Sequence, residues 1–235
     1  EAHAVSDVRV QRMLLYVFLA GGALFFAALL LCDLIPPPRP DRSPEEWKSF
    51  WTENQGRKRL GIVCGLMGSG TFAAMPVLLF QQLKRIEGAS APLAYFALGV
   101  GLMTAVPAVV LPWLCWSPLV YRDETLSPDV AQILSDLGFF SFFLPWPFLF
   151  WLLAVGIGVL RGTDAAGLPR WYGYLTLWIA AAAIPGGTIY FFRDGIFAWN
   201  GLLPFWLALV ALVVWVGATT VSLLRALAAQ DRLPV

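Results

Sequence analysis

The alternation of apolar and charged positions divides the chain into six long hydrophobic segments with short polar stretches between them. The segments lie at about 13–35, 61–83, 92–116, 138–160, 171–192 and 202–224. Each has about 22–25 residues, which is enough for a helix to cross a hydrocarbon layer of about 30 Å. A segment in lipid must satisfy its own backbone hydrogen bonds, so each is predicted to be helical. The pattern predicts an all-α fold, a bundle of six transmembrane helices forming one domain over residues 1–235.

The polar stretch after the first segment carries a helix signal of its own. In "RSPEEWKSFW", Ser43 is a favourable N-cap residue and Pro44 suits the first helical position. At helical spacing, one face of this stretch is aromatic and comprises Trp47, Phe50 and Trp51. We predict an interfacial amphipathic helix at about 43–56, lying on the membrane surface with its aromatic face toward lipid.

The stretch before the fourth segment repeats this arrangement. In "LSPDV", Ser127 is again a favourable N-cap residue and Pro128 follows it. The apolar face that follows comprises Val130, Ile133, Leu134 and Leu137. We predict a second interfacial helix at about 127–136, on the same side of the membrane as the first.

Lysine and arginine in short loops predict the orientation, because they are enriched on the cytoplasmic side. From the second segment onward, loops with two basic residues alternate with loops that carry one, Arg122 or Arg193. This alternation places both termini in the cytoplasm, and Arg9 and Arg12 agree with it. The loop at 36–60 is basic as well and would lie outside, against the rule. We favour the alternation.

The composition is typical of a membrane protein, and the net charge argues against a nucleic-acid partner. The chain is 59% hydrophobic and 13% charged, with a mean hydropathy of +0.71, whereas soluble domains carry about 25% charged residues. A net charge of +1 gives no sign of a nucleic-acid partner. The first residues, EAHAVSDVRV, lack the pattern of a signal peptide, so we expect the first segment to remain in the mature protein.

Residue usage argues against several kinds of chemistry. The single histidine, His3, lies in the N-terminal tail, which argues against haem or metal sites built on histidine within the bilayer. The cysteines Cys32, Cys64 and Cys115 form no CxxC motif. No lysine lies inside a predicted segment and no acid lies near mid-membrane, which argues against a Schiff-base chromophore and an ion-driven pump. We expect no metal and no cofactor.

Prolines interrupt the middle segments. They are Pro76, Pro107, Pro112, Pro145, Pro147 and Pro185. Each removes a helix hydrogen bond and can bend the helix. Bent helices can surround a central cavity, but prolines and small residues are also common where membrane helices pack closely. The sequence leaves both interpretations open.

Polar and aromatic residues concentrate at the predicted outer ends of the segments. The candidate ligand-binding residues are Asp33, Trp113, Trp116, Asp136, Trp146, Thr188, Arg193, Asp194, Trp199 and Asn200. Acids at membrane depth mark functional sites, and tryptophan suits the interface. The stretch "FFRDGIFAWNG" at 191–201 has two interpretations, a turn at headgroup level or a polar lid over a pocket.

Four motifs carry a resemblance. "PRWYGY" (169–174), "PGGTIYFF" (185–192) and "FAWNG" (197–201), with the "PPP…SPEE" loop, resemble a group of six-helix integral membrane proteins of lipid-metabolising actinobacteria and proteobacteria, a group without an assigned activity. The resemblance covers most of the chain. It implies a location in the bacterial inner (cytoplasmic) membrane.

Three functions fit the sequence. The first is a non-enzymatic membrane protein that binds or passes an apolar molecule (a lipid, sterol-like compound or pigment), or serves as a subunit or homo-oligomer within a larger complex. This function is favoured because the chain has 17 Phe and 11 Trp and few charges within its apolar segments, so its interior should be aromatic and apolar. The second is a transporter or channel for a small polar solute, and the third is an intramembrane enzyme that uses outer-face carboxylates.

Overall fold

The computed structural model describes residues 2–122, 125–143, 145–162 and 167–231. Within these ranges the chain is helical and has no strand. Five helical segments are long and apolar enough to cross a membrane: Val8–Leu31, Gln55–Glu87, Pro92–Tyr121, Pro128–Arg161 and Gly195–Gln230. The all-α class is confirmed, and these segments are compatible with a membrane-spanning protein.

The described residues form ten α-helices, which are numbered in chain order. They are α1 (Ala2–Leu31), α2 (Pro44–Thr52), α3 (Gln55–Ser69), α4 (Ala74–Glu87), α5 (Pro92–Ala105), α6 (Leu111–Tyr121), α7 (Pro128–Phe142), α8 (Pro145–Arg161), α9 (Arg170–Ala183) and α10 (Ala208–Gln230). The fifth sequence segment corresponds to α9 and a 3-10 turn, Ile184–Tyr190. It is not one of the five apolar spans, because its tryptophans, tyrosines and glycines lower its hydropathy. Six crossings therefore stay a prediction.

Irregular turns interrupt the long helical segments near prolines. Pro107 lies in a π-helical turn, Val106–Val110, that joins α5 to α6. Pro185 lies in the 3-10 turn after α9, and Pro204 lies in a second π turn, Leu202–Leu207, before α10. Because proline supplies no amide hydrogen, the regular hydrogen-bond ladder must adjust at each of these positions.

Helix α2 begins as the sequence predicts but faces differently. The Ser43 hydroxyl accepts a hydrogen bond from the Glu46 amide at 3.2 Å, and the Glu46 carboxylate accepts one from the Ser43 amide at 2.7 Å. This reciprocal capping box fixes the start of the helix. The expected contact of the aromatic face with lipid is wrong for Trp47 and Trp51, which are fully buried against the bundle, chiefly against α7.

The second predicted surface helix is the first part of a longer helix. Helix α7 starts at Pro128 with Ser127 at its N-cap, as expected, but continues without interruption to Phe142. The apolar face predicted for this stretch does not pack into the bundle, since Val130, Ile133 and Leu137 are exposed. The buried face includes a row of small residues, Ala131, Ser135 and Gly138, beside Phe139. The small residues allow close contact with α2 and α6.

Buried apolar side chains form two clusters at different levels of the bundle. The aliphatic cluster contains Leu15 of α1, Leu79 of α4, Val155 of α8 and Leu223 of α10. The aromatic cluster lies beneath α2 and contains Trp47, Trp51, Trp113, Trp116, Phe139 and Trp199. Aromatic rings of this size bury large areas and fix their neighbours, so the aromatic cluster holds α2 against the bundle.

Polar contacts join the first and last helices at the end opposite α2. The Gln82 amide donates to the Gln11 side-chain oxygen at 3.0 Å, and the Gln230 amide donates to Gln82 at 3.1 Å. Arg12 forms an ion pair with Asp231 beside them. The two termini of the described chain therefore lie at the same end of the bundle.

Candidate functional site

A cavity of about 440 Å³ lies between the aliphatic and aromatic clusters. Its volume is within the range of about 300–1,000 Å³ that is usual for small-molecule sites. Much of its wall is built from glycine and alanine, whose short side chains leave the space unfilled. These residues are Gly22, Ala23, Gly101, Ala105, Ala108, Ala182, Ala183, Gly186, Ala208 and Ala211.

Interruptions in four different helical segments border this cavity. Pro76 is the third residue of α4, just after the turn at 70–73 that separates α3 from α4. Val109 lies in the first π turn, Gly186 in the 3-10 turn and Pro204 in the second π turn, and all four residues line the wall. Where a helix departs from regular geometry its axis bends, and it cannot pack against its neighbour along its whole length. At this level the interruptions therefore accompany a cavity, one of the two interpretations that the sequence left open.

The cavity wall is apolar and uncharged among the described residues. Thr104 contributes a hydroxyl, which donates to the Val100 carbonyl oxygen at 2.8 Å. The Trp215 indole nitrogen donates to Thr176 at 3.3 Å, whereas that of Trp151 has no acceptor among the described residues. Burying a charge in such surroundings would be costly, so the cavity suits a neutral, mainly hydrocarbon occupant.

Three of the ten candidate residues from the sequence, Trp113, Trp116 and Trp199, belong to the aromatic cluster. Trp199 stacks on Phe139 with ring centroids 4.8 Å apart and donates its indole hydrogen to the Pro38 carbonyl oxygen at 2.8 Å. Trp113 and Trp116 meet edge to face at 5.4 Å. The contacts of Trp199 tie the turn before α10 to α7 and to the loop after α1.

Asp33 lies just after the C-terminal end of α1 in a left-handed backbone conformation, with φ of 58°. Its carboxylate forms an ion pair with Arg57, and the Lys58 ammonium lies 3.7 Å away. Lys58 itself is fully buried; it donates to the Phe50 carbonyl oxygen and lies 4.0 Å from the centre of the Phe50 ring. Asp33 therefore belongs to a charged cluster that joins α1, α2 and α3.

The remaining candidates lie around the turn between α9 and α10. Arg193 and Asp194 are exposed, and Asn200 is partly buried. The Thr188 hydroxyl lies within hydrogen-bond distance of two carbonyl oxygens, those of Pro185 at 2.7 Å and Phe197 at 2.9 Å, and can donate its one hydrogen to either. This contact stabilises a compact, exposed turn.

Asp136 and Trp146 complete the set. Asp136 is partly buried on α7, and the half-exposed Trp146 packs beside Gly187.

None of the ten candidates lines the described wall of the 440 Å³ cavity. The sequence search favoured polar and interfacial residues, whereas the cavity depends on small residues beside helix interruptions, such as Gly22 and Gly186. The prolines were the signal that could have located it.

The hydroxyl groups available for a polar path bond to the backbone instead. Their acceptors are carbonyl oxygens one helical turn earlier in every case: Gly65 for Ser69, Gly68 for Thr71, Val100 for Thr104, Leu137 for Ser141, Tyr172 for Thr176 and Pro185 for Thr188. Such bonds satisfy the hydroxyl groups within their own helices and leave them less available to a solute. Thr104 is the only one of these residues in the described cavity wall.

Comparison of the chain with models of protein families, with curated proteins and with solved structures found no match. The functional argument therefore proceeds from the cavity and its surroundings.

Proposed function

We propose that this protein is a non-enzymatic integral membrane protein that binds an apolar molecule in the 440 Å³ cavity. The observation that carries the proposal is a cavity of ligand size whose described wall has no charged side chain. Water molecules in such a space would find few hydrogen-bond partners. A hydrocarbon group of matching shape makes dispersion contacts with the wall and gives up no hydrogen bonds when it enters.

The same wall argues against the two alternatives. A polar solute needs groups that replace its hydration, but the hydroxyls of the bundle are bonded to backbone carbonyls and only Thr104 reaches the cavity. A carboxylate enzyme needs acids at the site, but Asp33 is paired with Arg57, Asp136 is partly buried on α7 and Asp194 is exposed on a turn. None of these three acids lines the cavity.

We also propose six crossings of a bacterial inner membrane, with both termini in the cytoplasm. The contacts of Gln11 and Arg12 with Gln230 and Asp231 support an even number of crossings, because an odd number would separate the termini. The sixth crossing would be Arg170–Tyr190. Helix α2 and the start of α7 would then lie at the outer surface, above the aromatic cluster.

Two glycine substitutions test the binding function. Gly22 lines the cavity and Gly217 lies on the exterior of α10; at both positions an added Cβ would meet no atom within 4 Å. Gly22→Leu therefore fills cavity space, whereas Gly217→Leu adds the same atoms outside. The readout is native mass spectrometry of protein gently extracted from its own membrane.

We expect the wild type and Gly217→Leu to retain an apolar adduct of fixed mass, and Gly22→Leu to lose at least about 90% of it, because the side chain occupies the same space. An absent adduct in the wild type, or an unchanged adduct in Gly22→Leu, would contradict the proposed function. The same spectra report the oligomeric state and any partner subunit.

A further inference from the structure

The cavity has a wall that is partly on the outside of the bundle. Four of its lining residues are exposed: Ala23 of α1, Phe26 of α1 at 43%, and Leu212 and Val213 of α10 at 40% and 62%. Deep wall residues are not exposed, among them Met75 at 1% and Trp215 at 2%. The space therefore runs from the interior to the surface between α1 and α10.

The ends of α1 and α10 are held together on one side of this opening. The bonds among Gln11, Gln82 and Gln230 and the ion pair of Arg12 with Asp231 join the two helices near the termini. Toward the other end, the Trp199 indole donates a hydrogen bond to the Pro38 carbonyl oxygen and packs beneath α2. The opening is thus a side window bounded at both ends by polar contacts.

The window lies at the depth of the hydrocarbon. Gly22 is near the middle of the apolar segment Val8–Leu31, and Phe26 is about 7.5 Å along the axis from Leu31 at 1.5 Å per residue. Leu212 and Val213 are near the middle of Gly195–Gln230. A molecule that approaches the window from outside therefore comes through the acyl chains and not through water.

Resting on the proposed function, we infer that the cavity's occupant is a hydrocarbon chain of a membrane lipid, which enters sideways between α1 and α10. An apolar window in the bilayer interior is surrounded by lipid chains at very high local concentration, and the described wall offers neither charge nor a polar cluster that would exclude them. The lipid headgroup stays at the membrane surface, because the wall offers it no partner.

Photo-crosslinking from a lipid tests this inference. The full-length protein is reconstituted in phosphatidylcholine nanodiscs that contain a phosphatidylcholine with a diazirine near the middle of one acyl chain. After irradiation, peptide mapping locates the attached lipid. We expect adducts on deep wall residues such as Met75, Trp151 and Trp215, which a lipid on the outer surface of the bundle cannot touch, since each is at most 6% exposed.

The expected yield on the deep residues falls at least about tenfold in Gly22→Leu and is unchanged in Gly217→Leu, because only the first side chain occupies the cavity. Labelling of the wild type confined to outer residues, such as Trp178 at 76% exposure, would overturn the inference even if Gly22→Leu fails to fold. An apolar adduct in native mass spectra together with purely external labelling would leave the binding function standing and reject sideways entry of lipid. The absence of both the apolar adduct and the labelling of deep residues would reject both proposals.

Discussion

At the scale of single residues, glycines determine how the tryptophans of the aromatic cluster pack. A Cβ on Gly138 would lie 2.1 Å from the Trp116 indole nitrogen, and one on Gly65 would lie 2.4 Å from Trp113. The two indoles therefore rest directly on helix backbone. The sequence shows glycine in a helix at both positions, but only the neighbouring ring explains why a larger residue would not fit.

Replacement of Gly138 by alanine should destabilise the protein by about 1–3 kcal/mol, because Trp116 must move out of a packed core. The control is Gly99→Ala on the exposed face of α5, where an added Cβ meets nothing within 4 Å. There alanine should stabilise the helix slightly, by up to about 1 kcal/mol. Thermal unfolding of both variants in the same detergent measures the difference, and equal melting temperatures would show that this contact is unimportant.

Trp51 and Trp116 differ in what their indole nitrogens bond to. Trp51 donates to the Ser135 hydroxyl at 2.7 Å, whereas the Trp116 nitrogen has no acceptor among the described residues. Both side chains are buried. Trp51→Phe should therefore cost about 1 kcal/mol more stability than Trp116→Phe, although the two changes remove the same atoms. Chemical denaturation of the two variants tests this, and a larger loss for Trp116→Phe would contradict it.

At the scale of elements, α2 shows where local sequence signals suffice and where they fail. The serine, proline and glutamates at 43–46 define its start through side-chain and backbone bonds within four residues, so the N-cap could be predicted. The partner of its aromatic face could not, because lipid and a protein surface are equally apolar. The deciding surface is the row of small residues on α7, distant in sequence.

Lys58 connects α3 to α2, and its removal should loosen α2. Its ammonium donates to the Phe50 carbonyl oxygen and neighbours Asp33 at 3.7 Å. Lys58→Met keeps the length of the side chain but leaves the Phe50 carbonyl oxygen without its donor and removes one of the two cations beside Asp33, at a cost of about 1–3 kcal/mol. Lys48→Met on α2 removes a lysine outside this cluster and is the control.

Hydrogen exchange measures the expected loosening. Amides of α2 should exchange faster in Lys58→Met than in the wild type, and at the wild-type rate in Lys48→Met, since local opening costs less when a docking contact is lost. Unchanged exchange in both variants would mean that the aromatic cluster alone holds α2.

At the scale of the whole molecule, a buried amide chain rather than the surface ion pair should hold the terminal end of the bundle. Gln82 is fully buried and bonds to both Gln11 and Gln230. Gln82→Leu should cost about 1–3 kcal/mol, because it leaves polar partners unsatisfied. Arg12→Gln breaks an exposed pair with Asp231 and should cost under about 1 kcal/mol. Unfolding of the two variants in one detergent compares them, and a reversed order would contradict this ranking.

Six crossings predict opposite sides for Ser49 on α2 and Ser90 before α5, both of which are exposed. In a variant without native cysteines, Ser49→Cys should react with a membrane-impermeant maleimide on intact cells. Ser90→Cys should react only after the membrane is made permeable. Reaction of both from one side would contradict this topology, and the reverse pattern would place the termini outside.

The sequence by itself determined the class of the protein and the approximate limits of its apolar helices, since hydropathy and helix caps act over a few neighbouring residues. It also placed the helix interruptions near prolines, because the missing amide hydrogen is a local property. Tertiary structure alone decided where these interruptions meet, which residues line the cavity and which partners bury Trp47 and Lys58. Those features depend on contacts between residues far apart in the chain, and no local pattern specifies them.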